Sequence, residues 1–212
     1  MDTARIIALF ETFRKADPHP KGALQFRNPF ELLVAVVLSA QSTDKGVNRA
    51  TPPLFAAAGD PANPAAMVRL GEAVIREHIR SLGLFNTKAK NILALSRLLV
   101  ERHQGGVPCE REALEALPGV GRKSANVVLN IAFGQPTLAV DTHVFRVAHR
   151  LGLSWGKTPE AVERDLLSAI PDAFLLHAHH WLILHGRHVC MARKPACDRC
   201  LVRAWCSSME AV

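Results

Sequence analysis

Four cysteines, Cys190, Cys197, Cys200 and Cys206, stand in the pattern C-x6-C-x2-C-x5-C near the end of this 212-residue chain. Thiolates so close in sequence converge only if the backbone wraps around something between them, and soft sulfur ligands select zinc or an iron–sulfur centre. Structural zinc usually takes two short knuckles set well apart, whereas here one short knuckle is flanked by two longer loops. Those loops suit a wider four-iron core, but spacing alone leaves zinc and [4Fe–4S] both open. Arg187, Arg193, Lys194, Arg199 and Arg203 share this stretch with a single carboxylate, Asp198. Arg193 and Lys194, between the first two cysteines, are therefore candidate phosphate contacts, although charges that merely solvate a terminus look the same. Cys109 stands apart and reads as an incidental thiol.

A second group of residues has a different chemistry. Gly119-Val120-Gly121 joins an amphipathic segment, Arg111 to Leu117, to another that begins Arg122-Lys123-Ser124. Two glycines at that spacing permit a tight turn free of side chains, and amides there and in the next helical turn can hold a phosphate. An ordinary helix–helix turn has the same composition. Lys123 falls in the first turn of the second helix, facing the positive end of the helix dipole, which is expected to lower its pKa. An amine that readily loses its proton forms Schiff bases, but a lysine at this place also serves simply as a phosphate contact. Asp141, before Thr142-His143, is first a helix N-cap. A carboxylate held that way also stays anionic beside a developing positive charge, as in glycoside hydrolysis.

The elements that must position these residues are helices. Asn28-Pro29, Asn63-Pro64 and Thr158-Pro159 each set a capping side chain before a proline suited to the first helical position. Segments with a period of 3.6 run over roughly 3–16, 29–40, 44–57, 64–81, 87–103, 111–117, 122–133, 142–151, 159–170 and 172–187. Gly- or Pro-containing cuts separate them, and no alternating strand pattern is present. The composition, rich in Ala, Leu and Val with no tyrosine, points the same way. A formal charge of +7 and a pI of about 9.5 suit a polyanionic partner such as nucleic acid. The most apolar stretch, Phe30 to Ala40, is too short to span a bilayer and contains Glu31, and the N-terminus reads as a charged amphipathic helix. A soluble, cytoplasmic protein without a membrane partner is expected.

Together these residues resemble the endonuclease III family. Leu117 to Asn130 looks like its helix–hairpin–helix with the catalytic lysine, Val140 to Val147 like its aspartate segment, and His180 to Arg187 leads into its cysteine spacing. The likeness runs from about Phe30 to Cys206. It implies an all-α, two-domain helix–hairpin–helix DNA glycosylase fold. One domain, about 22–135, would be a six-helix barrel carrying the hairpin at about 111–133. The other, 1–21 with 136–212, would hold a [4Fe–4S] cluster on the four cysteines, which decides against zinc. DNA would bind in the cleft between them.

The resemblance further implies base-excision repair of double-stranded DNA containing oxidised or otherwise damaged pyrimidines or abasic sites. Lys123 would attack C1′ of an extruded nucleoside and then cleave the strand by β-elimination, with Asp141 assisting. The family position of Leu82, Gly83 and Leu84 is an intercalating wedge, though both leucines would equally suit a core. Gln41 matches the residue that fills the vacated space. Ser124 stands where threonine is common and Phe85 where tyrosine is frequent, away from the proposed chemistry. Histidines 177, 179, 180, 185 and 188 lack a one-face spacing with a carboxylate, so no second metal is expected. A nucleoid-associated monomer is the natural expectation. Two rivals remain: an adenine-mismatch glycosylase, whose branch lacks the lysine at the position of Lys123, and a non-catalytic iron–sulfur DNA-binding module.

Overall fold

The computed structural model of the chain describes residues 1–209, and within them it is helical throughout, with no strand. In chain order the helices are α1 (Thr3–Ala16), α2 (Pro29–Ser39), α3 (Asp44–Ala57), α4 (Pro64–His78), α5 (Phe85–His103), α6 (Arg111–Glu115), α7 (Arg122–Phe133), α8 (Thr142–Leu151), α9 (Pro159–Ala169) and α10 (Asp172–His188). Three short 3₁₀ turns follow, Cys197–Arg199, Arg203–Trp205 and Ser207–Met209. The Asx-Pro and Thr-Pro signals act as read. Asn28, Asn63 and Thr158 each accept a hydrogen bond from the amide three residues on, at 2.8, 2.9 and 3.2 Å.

Three expected elements differ by more than a residue, the shortest being α6, which stops at Glu115 rather than at Leu117. The segment 64–81 is not one straight helix, because Gly71 adopts φ 79° and ψ 163° and breaks α4 in the middle. The apolar period continues across the break, so the pattern hides it; glycine reaches that conformation without the clash a Cβ brings. The helix then ends at His78, and 79–84 forms tight turns, with Leu82 N–H donating to Ile79 O at 2.9 Å. Helix α5 correspondingly begins at Phe85, two residues earlier than its period suggests.

The chain divides into two compact units, one made of residues up to Gly22 with those from Gly134 onward, the other of Ala23–Phe133. The second unit contains the six helices α2–α7. At its centre lies α2, in which Phe30 to Leu38 are all buried, packed by α3, α5 and α7. A helix apolar on every side is stable only when surrounded, and α2 is the element around which this unit condenses. Its one charge, Glu31, is buried against Arg27, and Ala62 N–H donates to it at 3.2 Å. In the first unit Ile6, Leu9, Phe10 and Phe13 of α1 pack with Val144 and Val147 of α8, Val162 and Leu166 of α9, and Phe174 and Trp181 of α10. The indole of Trp181 donates to Asp17 O at 2.8 Å, tying the end of α1 to α10.

Candidate functional site

In the unit of α2–α7, α6 packs on α7 across the turn Pro118–Gly121. Gly119 has φ +81°, and a Cβ there would come within 2.8 Å of Asn91 Nδ2, so conformation and space both call for glycine. Val120 is buried, and its N–H donates to Leu117 O at 3.1 Å. Val120 therefore braces the turn, and its amide is already engaged rather than turned to a phosphate as expected. Arg122, Lys123 and Ser124 form the first turn of α7, directly after this glycine turn. Lys123 is the second residue of α7 and is half-buried.

The same unit brings two turns together. Gln41 follows the C-cap of α2, is exposed, and has φ +52°. A Cβ on Gly83 would lie 3.3 Å from Gln41 O, so the backbone of turn 82–84 presses on that of turn 40–43. The two leucines expected to act together as a wedge separate here. Leu82 is 5% exposed and packs beside Gly46, whereas Leu84 is 56% exposed with φ +57°. Residues on either side of Gly83 in this tight turn point in different directions, so Leu82 anchors the turn and Leu84 presents its apolar side chain outward. Among the described residues four non-glycines have positive φ, Gln41, Leu84, Gln104 and Lys194. Three of these are residues singled out as DNA contacts, and strained backbone of this kind collects where a side chain must be aimed.

In the other unit Asp141 caps α8. Its Oδ1 accepts from His143 N–H and Val144 N–H, both at 2.8 Å, so the cap uses one carboxylate oxygen and leaves Oδ2 outside it. The four cysteines of the C-terminal pattern line one cavity of about 260 Å³, with Arg150 and His185 in its wall. Among the described residues no three His, Cys, Asp or Glu side chains are set to hold a single metal ion. Four sulfurs lining one cavity of that size form a soft, all-thiolate donor set of the kind that holds an iron–sulfur cluster. Burial, with a smaller contribution from the neighbouring sulfurs, pushes the Cys200 thiol up, a cost that iron ligation removes by neutralising the thiolate.

Two arginines of α8 hold the backbone around this cavity. Arg150 donates to Met191 O at 2.7 Å, to Ala192 O at 3.1 Å and to Cys190 Sγ at 3.5 Å. Arg146, one turn earlier, donates to Cys190 O at 3.1 Å and Gly186 O at 2.8 Å. Nothing in the local pattern distinguishes these arginines from an ordinary basic helix face. His185 Nε2 lies 3.6 Å from Cys200 Sγ, and burial takes its pKa down to about 4. Arg193 and Lys194, on the loop between the first two cysteines, are exposed. Of the other histidines considered as ligands, His179 Nδ1 is 2.9 Å from Ala139 O and His177 meets Trp181 edge-on.

Residues 34–172 match the model of the HhH-GPD superfamily of base-excision DNA repair proteins, and residues 190–206 match the iron–sulfur binding domain of endonuclease III. The endonuclease III of Treponema pallidum (strain Nichols) is 54% identical over 206 residues, 97% of this chain and 96% of the relative. That of Escherichia coli (strain K12) is 51% identical over 212 residues, 100% of this chain and 99% of the relative. Among solved structures, a trapped endonuclease III–DNA covalent intermediate superimposes with a TM-score of 0.90 at 40% identity, covering 100% of this chain and 98% of that one.

Proposed function

Because the chain belongs to the endonuclease III family of helix–hairpin–helix base-excision repair proteins, we propose that Lys123 is its nucleophile and Asp141 the carboxylate that assists. The chain is a DNA glycosylase and abasic-site lyase with a [4Fe–4S] cofactor. In our reading its substrates are oxidised pyrimidines in duplex DNA, and it works as a monomer at the nucleoid; the basic balance of the chain supports the DNA-bound part of that reading. The observation that carries the assignment is the position of Lys123, in the first turn of α7 directly after the glycine turn, in a chain whose structural relative has been trapped covalently on DNA.

The chemistry balances as follows. The neutral Nζ of Lys123 attacks C1′ of the extruded nucleoside while the C1′–N bond breaks, and the base leaves with a proton. Ring opening gives a Schiff base, which acidifies the C2′ proton. Loss of that proton expels the 3′ phosphate, and water then releases Lys123. Asp141 stabilises the positive charge that develops on the sugar and carries protons. The first-turn amides of α7 with Gly119 and Gly121 take a backbone phosphate, Leu84 enters the stack on the support of Leu82 and Gly83, and Gln41 fills the space left behind.

Cys190, Cys197, Cys200 and Cys206 would hold the [4Fe–4S] cluster, whose chemistry here is to cross-link the 190–206 loop. That loop offers Arg193 and Lys194 to phosphates. Borohydride reduction on abasic-site DNA tests the reading: the native chain should give a covalent adduct and Lys123→Ala none. An adduct of undiminished yield in that variant would move the nucleophile elsewhere.

A further inference from the structure

Lys88 is an anomaly in the core. It lies one turn into α5 and is only 3% exposed, on the buried face with Ala89, Ile92 and Leu95. Its ammonium loses hydration there. Burial accordingly lowers its pKa. Among the described residues no carboxylate is paired with it. A leucine or methionine would fill the space more cheaply, so stability does not explain the lysine.

The lysine side chain reaches from the start of α5 to a second segment. Its Nζ donates to Ser42 Oγ at 2.8 Å, across 46 residues of chain, and its backbone N–H donates to Leu84 O at 3.0 Å. Ser42 is the neighbour of Gln41, and Leu84 is the exposed leucine of the second turn. The backbone bond is the first turn of α5 and any residue would make it; the lysine side chain is what ties that helix start, which carries Leu84, to the turn bearing Gln41. The close approach of Gly83 to Gln41 O and the packing of Leu82 beside Gly46 complete the same junction. Both Gln41 and Leu84 sit in left-handed backbone conformations that persist only where surrounding contacts enforce them.

We infer that Lys88, acting through Ser42, is a positioning residue for base extrusion: it locks the Gln41 and Leu84 turns into one rigid piece, so that both side chains enter the duplex together. The inference rests on the reading that Gln41 and Leu84 enter the duplex. A tie of this kind matters most for the step that unstacks a base, because the two side chains must arrive in register.

The test uses the full chain with its cluster and four variants, Lys88→Met, Ser42→Ala, Leu84→Ala and Gln41→Ala. Four quantities are read: fluorescence of a 2-aminopurine beside the lesion, single-turnover base release from a duplex with one oxidised pyrimidine, strand scission at a preformed abasic site, and the thermal midpoint. Lys88→Met should keep or raise the midpoint, yet slow extrusion and base release by about 10- to 100-fold. Scission at the abasic site, where no base has to be unstacked, should fall less, so the ratio of the two rates drops. Ser42→Ala should shift the ratio in the same direction, and it alone decides if Lys88→Met folds poorly. Native extrusion in both variants, or equal loss of both activities, makes Lys88 a core residue only and overturns the inference. If Leu84→Ala and Gln41→Ala abolish extrusion in that case, the duplex-entry reading survives; if they also leave it intact, that reading fails and the inference falls with it.

Discussion

Asp141 is both a helix cap and the proposed electrostatic partner of the reaction, and two substitutions separate these roles. Both hydrogen bonds of the cap land on Oδ1, from His143 and Val144 at 2.8 Å. Asp141→Asn keeps a carbonyl oxygen to receive them and replaces only Oδ2 with an amide. Asparagine caps about as well as aspartate, so the loss is the charge–dipole part alone, about 0.3–1 kcal/mol. Asp141→Ala removes the acceptor and should cost about 0.5–2 kcal/mol. Chemical denaturation should therefore rank native, Asn, Ala in falling stability. Single-turnover base release should instead fall in both variants by a similar factor, of order 10²-fold, because both lose the negative charge that meets the developing cation. DNA affinity, measured by titration on a non-cleavable duplex, should change little in Asp141→Asn. A variant Asp141→Asn that releases base at the native rate would refute the charge argument. Equal destabilisation by Asn and Ala would refute the cap as the source of the stability difference.

Gly119→Ala should cost about 1–2 kcal/mol from its left-handed backbone alone, and more once Asn91 is displaced; denaturant midpoints measure the cost and DNA titration the accompanying loss of phosphate binding. Cys197→Ser should loosen the 190–206 loop, lowering cluster absorbance and DNA affinity. The lysine chemistry should stay intact, so saturating DNA should still yield the borohydride adduct. His180, held neutral by burial and by His177, has its pKa lowered from 6.5. The unfolded chain therefore binds more protons than the folded one below that value, and stability should decline as pH falls through it. His180→Gln should flatten that part of a curve of urea midpoint against pH.

Features that depend on near neighbours are legible in the chain before it folds. Caps such as Asn28, Asn63, Thr158 and Asp141 act on amides two or three residues away, so their pattern announces the helix starts. Cysteine spacing within 17 residues marks a thiolate site for the same reason, although zinc and iron are distinguished by the family resemblance and the match to an iron–sulfur domain rather than by spacing. The all-helical fold was evident because apolar period and punctuation agree along the chain.

Which of Leu82 and Leu84 is exposed depends on packing, since a turn's orientation follows from what lies beneath it. The fold also sets the break at Gly71, where the apolar pattern runs on unchanged while the backbone does not. The side chains of Arg146, Arg150 and Lys88 each reach a partner 40 or more residues away in sequence. No local pattern encodes a pairing at that distance, because the residues become neighbours only after hydrophobic burial has folded the helices together.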